Sequence, residues 1–462
     1  MGLDNYINYA IKSLLKNPIL EVLQEIKITK ILKESNFIKR DVGYSPFQIL
    51  LHFLYMLIMQ KRQSSFIKQS HSAFGKDTYY RFIKSSRYNW RKLLLLSSIA
   101  LLQKIRPLYR YGEQCLLIID DTVEPKRGRL IEGSCKYIWS NKEHRAINAI
   151  NIVSLNYADS HSTFQLDFAI KMNSSKRKDI SEFTTKLHHR SNAYKRKSET
   201  LKSKNTLALE MIKRALDAGV EADYLLIDSW YAKPDFIKQV DDLGVPVIAR
   251  LPNNRVIWNF KGKYKTLNAI YNSLKSIRRK QRGKHGKISY IYFDTIVEHT
   301  TLGKVKLVFL HTGKDLLIFI STDLQLSATE ILKTYKKRWN IEQGYKELRE
   351  LFGLGKEENR IYEALIAKIT LSMFAYNIVS YINRIRAEPQ TLGELFRDLE
   401  CELEALAISM QLFIKILTKI SEIQNVVKDN KNFLQIIELL RVYTQKVRIY
   451  VRKLRSLIII SY

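Results

Sequence analysis

A chain of 462 residues with 46% hydrophobic residues carries enough apolar material for a large core, so a disordered chain is excluded. Lys and Arg number 77 against 45 Asp and Glu, a net charge of +32, and an excess of that size repels itself unless a polyanion neutralises it. Nucleic acid is the first polyanion to consider, and an anionic membrane surface the second.

The membrane reading is the weaker one. The longest apolar stretches, such as Phe47 to Met59 and Leu93 to Leu102, are too short to span a bilayer or are interrupted by polar residues. Met1 to Asn17 has neither the continuous apolar centre nor the small-residue cleavage site of a signal peptide. Cys115, Cys135 and Cys401 are too few and too scattered for a disulfide framework or a zinc site, which points to a reducing, cytoplasmic compartment. The histidines form no metal-ligand spacing; His188-His189 lies in a basic stretch, where a solvated or phosphate-facing role fits better than a metal site.

In chain order, residues 1 to about 110 read as helical, with apolar residues at three- and four-residue spacing from Ile7 to Leu32 and again from Phe47 to Met59. The segment Lys76 to Lys84 reads as a short helix bearing basic and aromatic groups. It is either the reading helix of a helix-turn-helix or an ordinary amphipathic surface helix. The texture then changes: Cys115 to Ile119 is a short apolar run ending in Asp120-Asp121-Thr122, which predicts a buried strand. Two further strands are predicted over Ala149 to Leu155 and Phe164 to Ile170. The stretch from Asn173 to Asn205, with Lys176-Arg177-Lys178 and Lys195-Arg196-Lys197, has little to bury and reads as a loop or a phosphate-contacting arm. A helix (Thr206 to Ala218), a strand (Tyr224 to Ile227) ending in Asp228, a helix (Pro234 to Leu243) and a strand (Val245 to Ala249) complete an α/β pattern. Three consecutive strands followed by strands joined through helices is what a ribonuclease-H-like fold would show. From Pro252 to Asp323 the chain turns β-rich, with strands predicted at Ile288 to Phe293, Val305 to Leu310 and Leu316 to Ile320, preceded by the cationic run Arg278-Arg279-Lys280-Gln281-Arg282. This segment reads as an insertion into the α/β unit.

Ser327-Ala328-Thr329-Glu330 fits a capping box, so a long helix should begin at Ala328. On it Tyr335, Arg338, Glu342 and Arg349 fall within about 60° of one another at ~100° per residue, in one polar stripe. The neighbouring stripe, Ile341, Tyr345, Leu348 and Phe352, is apolar and suited to docking on the sheet. A carboxylate between guanidinium groups and a phenol is sensible chemistry for a phosphodiester site, with the carboxylate for metal and the cations for phosphate. Arg and Glu four residues apart more often form a solvated ion pair. Here an aspartate ends each of two predicted strands upstream, and phosphodiester chemistry with two cations ~3.5–4 Å apart requires carboxylates from several elements. Oxygen ligands of this kind select Mg²⁺ or Mn²⁺.

These residues resemble a known family, the bacterial insertion-sequence transposases with a DDE triad and a Tyr-x2-Arg-x3-Glu-x6-Lys signature. The matching segments are Leu117 to Thr122, Leu225 to Tyr231 and Tyr335 to Gln343, with Ala364 to Val379 similar to an apolar helix of that family. The resemblance implies an α/β fold: a ribonuclease-H-like core over 113–251 and 325–386, interrupted by a β-rich insertion over 252–324. Helical regions flank it, a DNA-binding one over 1–112 and another over 387–462. It implies Asp120, Asp228 and Glu342 as ligands of two Mg²⁺ or Mn²⁺ ions. Asp120 is taken over Asp121 because the family pattern is Asp, any residue, then Ser or Thr, and Thr122 meets that offset. Tyr335, Arg338 and Arg349, the last in place of the signature lysine, would contact DNA phosphate, joined by the basic clusters Lys176, Arg177, Lys178 and Arg278, Arg279, Lys280, Arg282. The implied activity is cleavage at the ends of an insertion sequence and strand transfer into target DNA. The implied partners are double-stranded DNA and a second copy of the chain, in a bacterial, nucleoid-associated setting. The alternatives are a related metal nuclease without strand transfer and a non-catalytic DNA-binding descendant. Some relatives hold a flipped base with a tryptophan in the insertion. Trp258 is the one in this insertion, and no such role is assigned to it.

Overall fold

The structure, a computed structural model, describes residues 17–404 apart from 40–42, 62–64, 67–74, 129–130, 141–142, 173–186, 253–256, 277–280, 286–287, 314, 357–358 and 387–389. The chain divides into two compact units, one of Met1–Leu93 with Glu347–Tyr462 and one of Leu94–Lys346.

The first unit is helical. Helix α1 (Pro18–Glu25) opens with proline in its first turn, and the Asn17 side chain accepts hydrogen bonds from the Ile19 and Leu20 amides. Lys27 adopts a left-handed conformation (φ 53°) and separates α1 from α2 (Ile28–Glu34), so the described part of the periodic run toward Leu32 forms two short helices. Helix α3 (Pro46–Ile58) is buried on nearly every face. In α4 (Lys76–Ile83), Tyr79, Phe82 and Ile83 turn inward, while Lys76, Arg81 and the following Lys84 are exposed. The Tyr79 hydroxyl and His52 Nδ1 share a 2.7 Å hydrogen bond that pins α4 to α3. The last long helix of this unit, Tyr362–Ile385, is numbered α12 below and packs on α1, α3 and α4. By length and composition it is the one described helix able to cross a membrane, a candidate missing from the stretches weighed above, yet 94% of its apolar window is buried inside the protein. A helix apolar on all sides must be covered, and here protein covers it.

Helix α5 (Trp90–Ile105) leads into the second unit, whose described residues are organised around one mixed sheet of twelve strands. Strand β1 (Leu116–Pro125) pairs antiparallel with β3 (Arg145–Ala158). The other edge of β3 is shared by β2 (Cys135–Ser140) and β4 (Thr163–Lys171). On its far side β1 runs parallel to β5 (Tyr224–Ile227), and β5 runs parallel to β6 (Val247–Leu251). Parallel neighbours need crossovers. Helices α6 (Asn192–Ser198) and α7 (Lys204–Asp217) precede β5, and α8 (Pro234–Asp241) links β5 to β6. The antiparallel strands β1, β3 and β4, with β2 beside β3, followed by the parallel strands β5 and β6 joined through helices, make this a ribonuclease-H-like core.

Residues between β6 and the next long helix form β7 (Ile257–Phe260), β8 (Lys263–Thr266), α9 (Leu267–Leu274), β9 (Gln281–His285), β10 (Ile288–His299), β11 (Gly303–His311) and β12 (Leu316–Ser321). The sequence predicted β-rich structure here, and pairing adds a detail it did not carry. Strand β12 pairs antiparallel with β6, so these strands extend the core sheet. Trp258 lies in β7 at 2% exposure, its ring against His299, so it presents no surface for a base.

The expectation for residues 173–205 needs correction. Residues 173–186 lie outside the described residues, and the later part is helical rather than an open arm. Ser191 caps α6 by accepting from the Tyr194 amide. Arg196 is buried, donates to the Phe168 carbonyl at 2.7 Å and lies 3.7 Å from Asp167 and 3.5 Å from Glu199. Lys197, also buried, pairs with Glu132 at 3.5 Å. Buried charges persist only when paired, so Arg196 and Lys197 hold α6 to the protein and do not present to a polyanion.

Candidate active site

The parallel register of β1 and β5 sets the first two acidic groups. Ile119 lies opposite Ile227, the last residue of β5, so the next residues on the two strands are Asp120 and Asp228. Beyond Ile227 the chain turns: Asp228 Oδ1 accepts from the amides of Trp230 at 2.9 Å and Tyr231 at 3.2 Å, an Asx turn that ends the strand. Strand β1 does not end there, contrary to the sequence reading. It continues to Pro125 because β3 still pairs with it, Asp120 opposite Ser154. Asp120 therefore sits within a strand, at the level where its parallel neighbour stops.

The third element differs from the predicted single helix. Helix α10 (Ala328–Lys336) begins with the predicted capping box, both halves of which are formed. It ends before Arg338, and α11 (Trp339–Glu350) starts anew. At the junction the backbone bonds run to the third residue back: Lys337 N to Thr334 O, Arg338 N to Tyr335 O, Asn340 N to Lys337 O and Ile341 N to Arg338 O, at 2.9–3.1 Å. This tighter winding lets Arg338 reach across. Its Nη1 donates to Asp120 Oδ2 at 2.9 Å and its Nη2 to Glu342 Oε1 at 2.6 Å. The Tyr335 ring packs edge-on to Phe319 at 4.9 Å, with the Arg338 guanidinium 5.9 Å from its centroid.

The apolar stripe Ile341, Tyr345, Leu348 and Phe352 is buried as expected, but it does not dock as one strip on the sheet. Tyr345 bonds Ser154 of β3 at 2.8 Å, whereas Phe352 packs on Tyr376 and Phe396 of the helical unit.

Burial pushes the Asp120 carboxyl up to about 7; the adjacent Asp228 and Asp121 charges push the same way, against Arg338 and the Asp121 amide. Burial raises the Tyr335 phenol to about 12. Successive strand residues face opposite sides of a sheet, and the neighbouring aspartates have different partners accordingly. Asp121 accepts from Lys204 Nζ at 2.7 Å and from the Tyr231 hydroxyl at 3.0 Å. Sequence reasoning assigned nothing to Lys204, which lies 83 residues from Asp121. It also left Trp230 without a role. That ring is 47% exposed beside Asp228, with the Lys204 and Lys233 ammonium groups 4.6 and 5.5 Å from its centroid. The signal was the aromatic pair directly after Asp228-Ser229.

Of the other predicted contacts, Arg349 lies in the last turn of α11. Arg282 is exposed on β9, opposite Ile291 of β10. Lys176, Arg177, Lys178, Arg278, Arg279 and Lys280 lie outside the described residues.

Among the described residues no group of three His, Cys, Asp or Glu side chains is gathered closely enough to hold a metal ion. The acidic side chains fit Mg²⁺ or Mn²⁺ in kind, since all are carboxylates. They do not close around one point, because the Arg338 guanidinium stands between Asp120 and Glu342.

The fold is thus ribonuclease-H-like, with acidic groups from a strand, from the turn after its parallel neighbour and from a helix. Two protein-family models match the chain: a DDE superfamily endonuclease over residues 48–267, spanning Asp120 and Asp228, and a transposase DDE domain over residues 201–378, spanning Asp228 and Glu342. No curated protein matches it significantly. Together the two matches cover residues 48–378 and support a DDE transposase or DDE-superfamily endonuclease.

Proposed function

We propose that this protein is an active transposase that cleaves DNA at the ends of an insertion sequence and joins the freed 3′ ends to target DNA. The observation that carries the reading is the β1–β5 register, which sets Asp120 on β1 level with Asp228, the residue after β5, with Glu342 tied to Asp120 through one guanidinium. Asp120, Asp228 and Glu342 would hold Mg²⁺ or Mn²⁺, which when bound would supply activation of the attacking oxygen and stabilisation of the leaving one. Arg338 and Tyr335, with Arg349 farther along α11, would seat the DNA phosphates, Arg338 by its planar fork. The net charge of +32 would draw DNA to the protein. The protein would act as a homodimer on paired DNA ends.

Asp228→Ala and Glu342→Ala should each abolish Mg²⁺-dependent cleavage of DNA carrying the element's ends, while DNA affinity at fixed salt stays within a few-fold of the parent. Undiminished cleavage in either variant removes the mechanism. Cleavage without strand transfer by the unaltered protein, on the same DNA with target supplied, would reduce the activity to that of a nuclease.

A further inference from the structure

Arg338 occupies the middle of the acidic site, and its bonding there is incomplete. Its two terminal nitrogens serve two different carboxylates, Asp120 and Glu342, in the manner of a small bridging cation. Asp121, the other strand aspartate, has its own counter-charge in Lys204. That leaves Asp120 and Glu342 sharing one guanidinium, formally two negative charges against one positive, with the Asp228 carboxylate bonded to the Trp230 and Tyr231 amides. The Nε donor of Arg338 is buried and has no hydrogen-bond partner among the described residues. Its backbone lies at the break between α10 and α11, outside regular α-helix. A phosphate diester offers a guanidinium bonds as strong as a carboxylate does.

We propose that Arg338 is a tethered counter-cation that blocks metal binding in the DNA-free protein and is drawn off by DNA phosphate, so that the metal site opens only on DNA. The inference rests on the reading of Asp120, Asp228 and Glu342 as ligands. The guanidinium holds Asp120 Oδ2 and Glu342 Oε1, and Asp120 Oδ1 takes the Asp121 amide, so a divalent ion bridging the two carboxylates competes with Arg338 for these oxygens and would crowd three positive charges together. DNA moves Arg338 from carboxylate to phosphate with little change in its own bonding, and the carboxylates, left with an excess of negative charge, take up the ion. By linkage, the factor by which DNA raises metal affinity is the factor by which metal raises DNA affinity. The arrangement would keep a hydrolytic site unloaded until its substrate is present.

The test is Mn²⁺ binding to the full chain at pH 8, read from the loss of the free-ion electron paramagnetic resonance signal, with folding checked by circular dichroism melting. Arg338→Gln should bind Mn²⁺ at least tenfold more tightly than the parent without DNA. Arg338→Lys, with a single-pronged cation, should fall between them. Adding a short duplex of arbitrary sequence should tighten Mn²⁺ binding to the parent at least tenfold and to Arg338→Gln little further. The same duplex with the Asp228→Asn/Glu342→Gln double variant gives the background from DNA-bound ion. Folded Arg338→Gln and Arg338→Lys proteins that bind Mn²⁺ no more tightly than the parent overturn the proposal, as does a duplex that leaves the parent's affinity unchanged. A separate result bears on the ligands: Asp228→Asn or Glu342→Gln placed in the Arg338→Gln background should cost the gained affinity. If they do not, the ligand assignment fails whatever Arg338 does.

Discussion

Asp120 carries a charge that its surroundings resist. Burial first, then repulsion from Asp228 and Asp121, lifts its carboxyl from the ordinary 3.8 to about 7. Because the folded value lies above the unfolded one, this group's contribution to stability is fully present below about 3.8 and is lost as pH rises through about 7. Asp120→Asn, which keeps an oxygen for Arg338, should therefore melt above the parent at pH 8 in chelator, with the gap closing toward pH 5. At ~2–4 °C per kcal/mol for a domain of this size, the gap at pH 8 should be several degrees. A gap independent of pH, or widening toward acid, would show that Asp120 ionises freely. The choice between Asp120 and Asp121 rested in the sequence on one motif offset. In the structure the two are told apart by their partners, Arg338 for one, Lys204 and Tyr231 for the other.

At the scale of elements, local signals were legible wherever the cause was local. The strand at Tyr224–Ile227 was predicted with the bounds it has, because an apolar run between turn-forming residues needs no distant information. The capping box at Ser327 was equally plain: Ser327 N donates to Glu330 Oε2 at 2.8 Å, and the Glu330 amide returns to Ser327 Oγ at 3.3 Å. Ser327→Ala should lower stability by about 1 kcal/mol, as loss of an N-cap does, seen as an earlier denaturant midpoint with unchanged slope. Cleavage should stay within about twofold of the parent, since the cap does not touch the carboxylates. A large loss of activity at unchanged stability would mean that the start of α10 contacts the reaction directly. What periodicity missed was the break at Arg338. A regular 3.6-residue repeat continues through it, whereas in the structure the chain winds more tightly there and Arg338 pairs with Asp120 and Glu342.

For the whole molecule, the charge balance speaks first. A chain at +32 should bind DNA with a steep salt dependence. Replacing Lys176, Arg177 and Lys178 together by Gln should weaken binding across all sequences and lower the salt slope by up to about 2–3, near 0.9 per lost phosphate contact. An unchanged slope would mark the cluster as a solvated face. The fate of Arg196 and Lys197 is the warning: basic residues in the same stretch of sequence proved to be buried counter-ions for Asp167, Glu199 and Glu132. The long apolar helix α12 teaches the same lesson from the other side, since composition alone cannot separate a core helix from a membrane span.

From the sequence alone came the α/β order of elements, the cationic balance, the three acidic positions and the family they resemble. All of these are written in residue identity and short-range spacing, where backbone periodicity operates. The tertiary structure decided which strand lies beside which, and therefore that Asp120 and Asp228 are neighbours. It also decided that β12 joins the core sheet and that Arg338 stands between two carboxylates. These depend on pairings between residues tens to hundreds of positions apart, as with Asp120 and Arg338 at a separation of 218. Such contacts form when packing and hydrogen bonding outweigh the entropy of closing the intervening chain, and no local pattern encodes that balance.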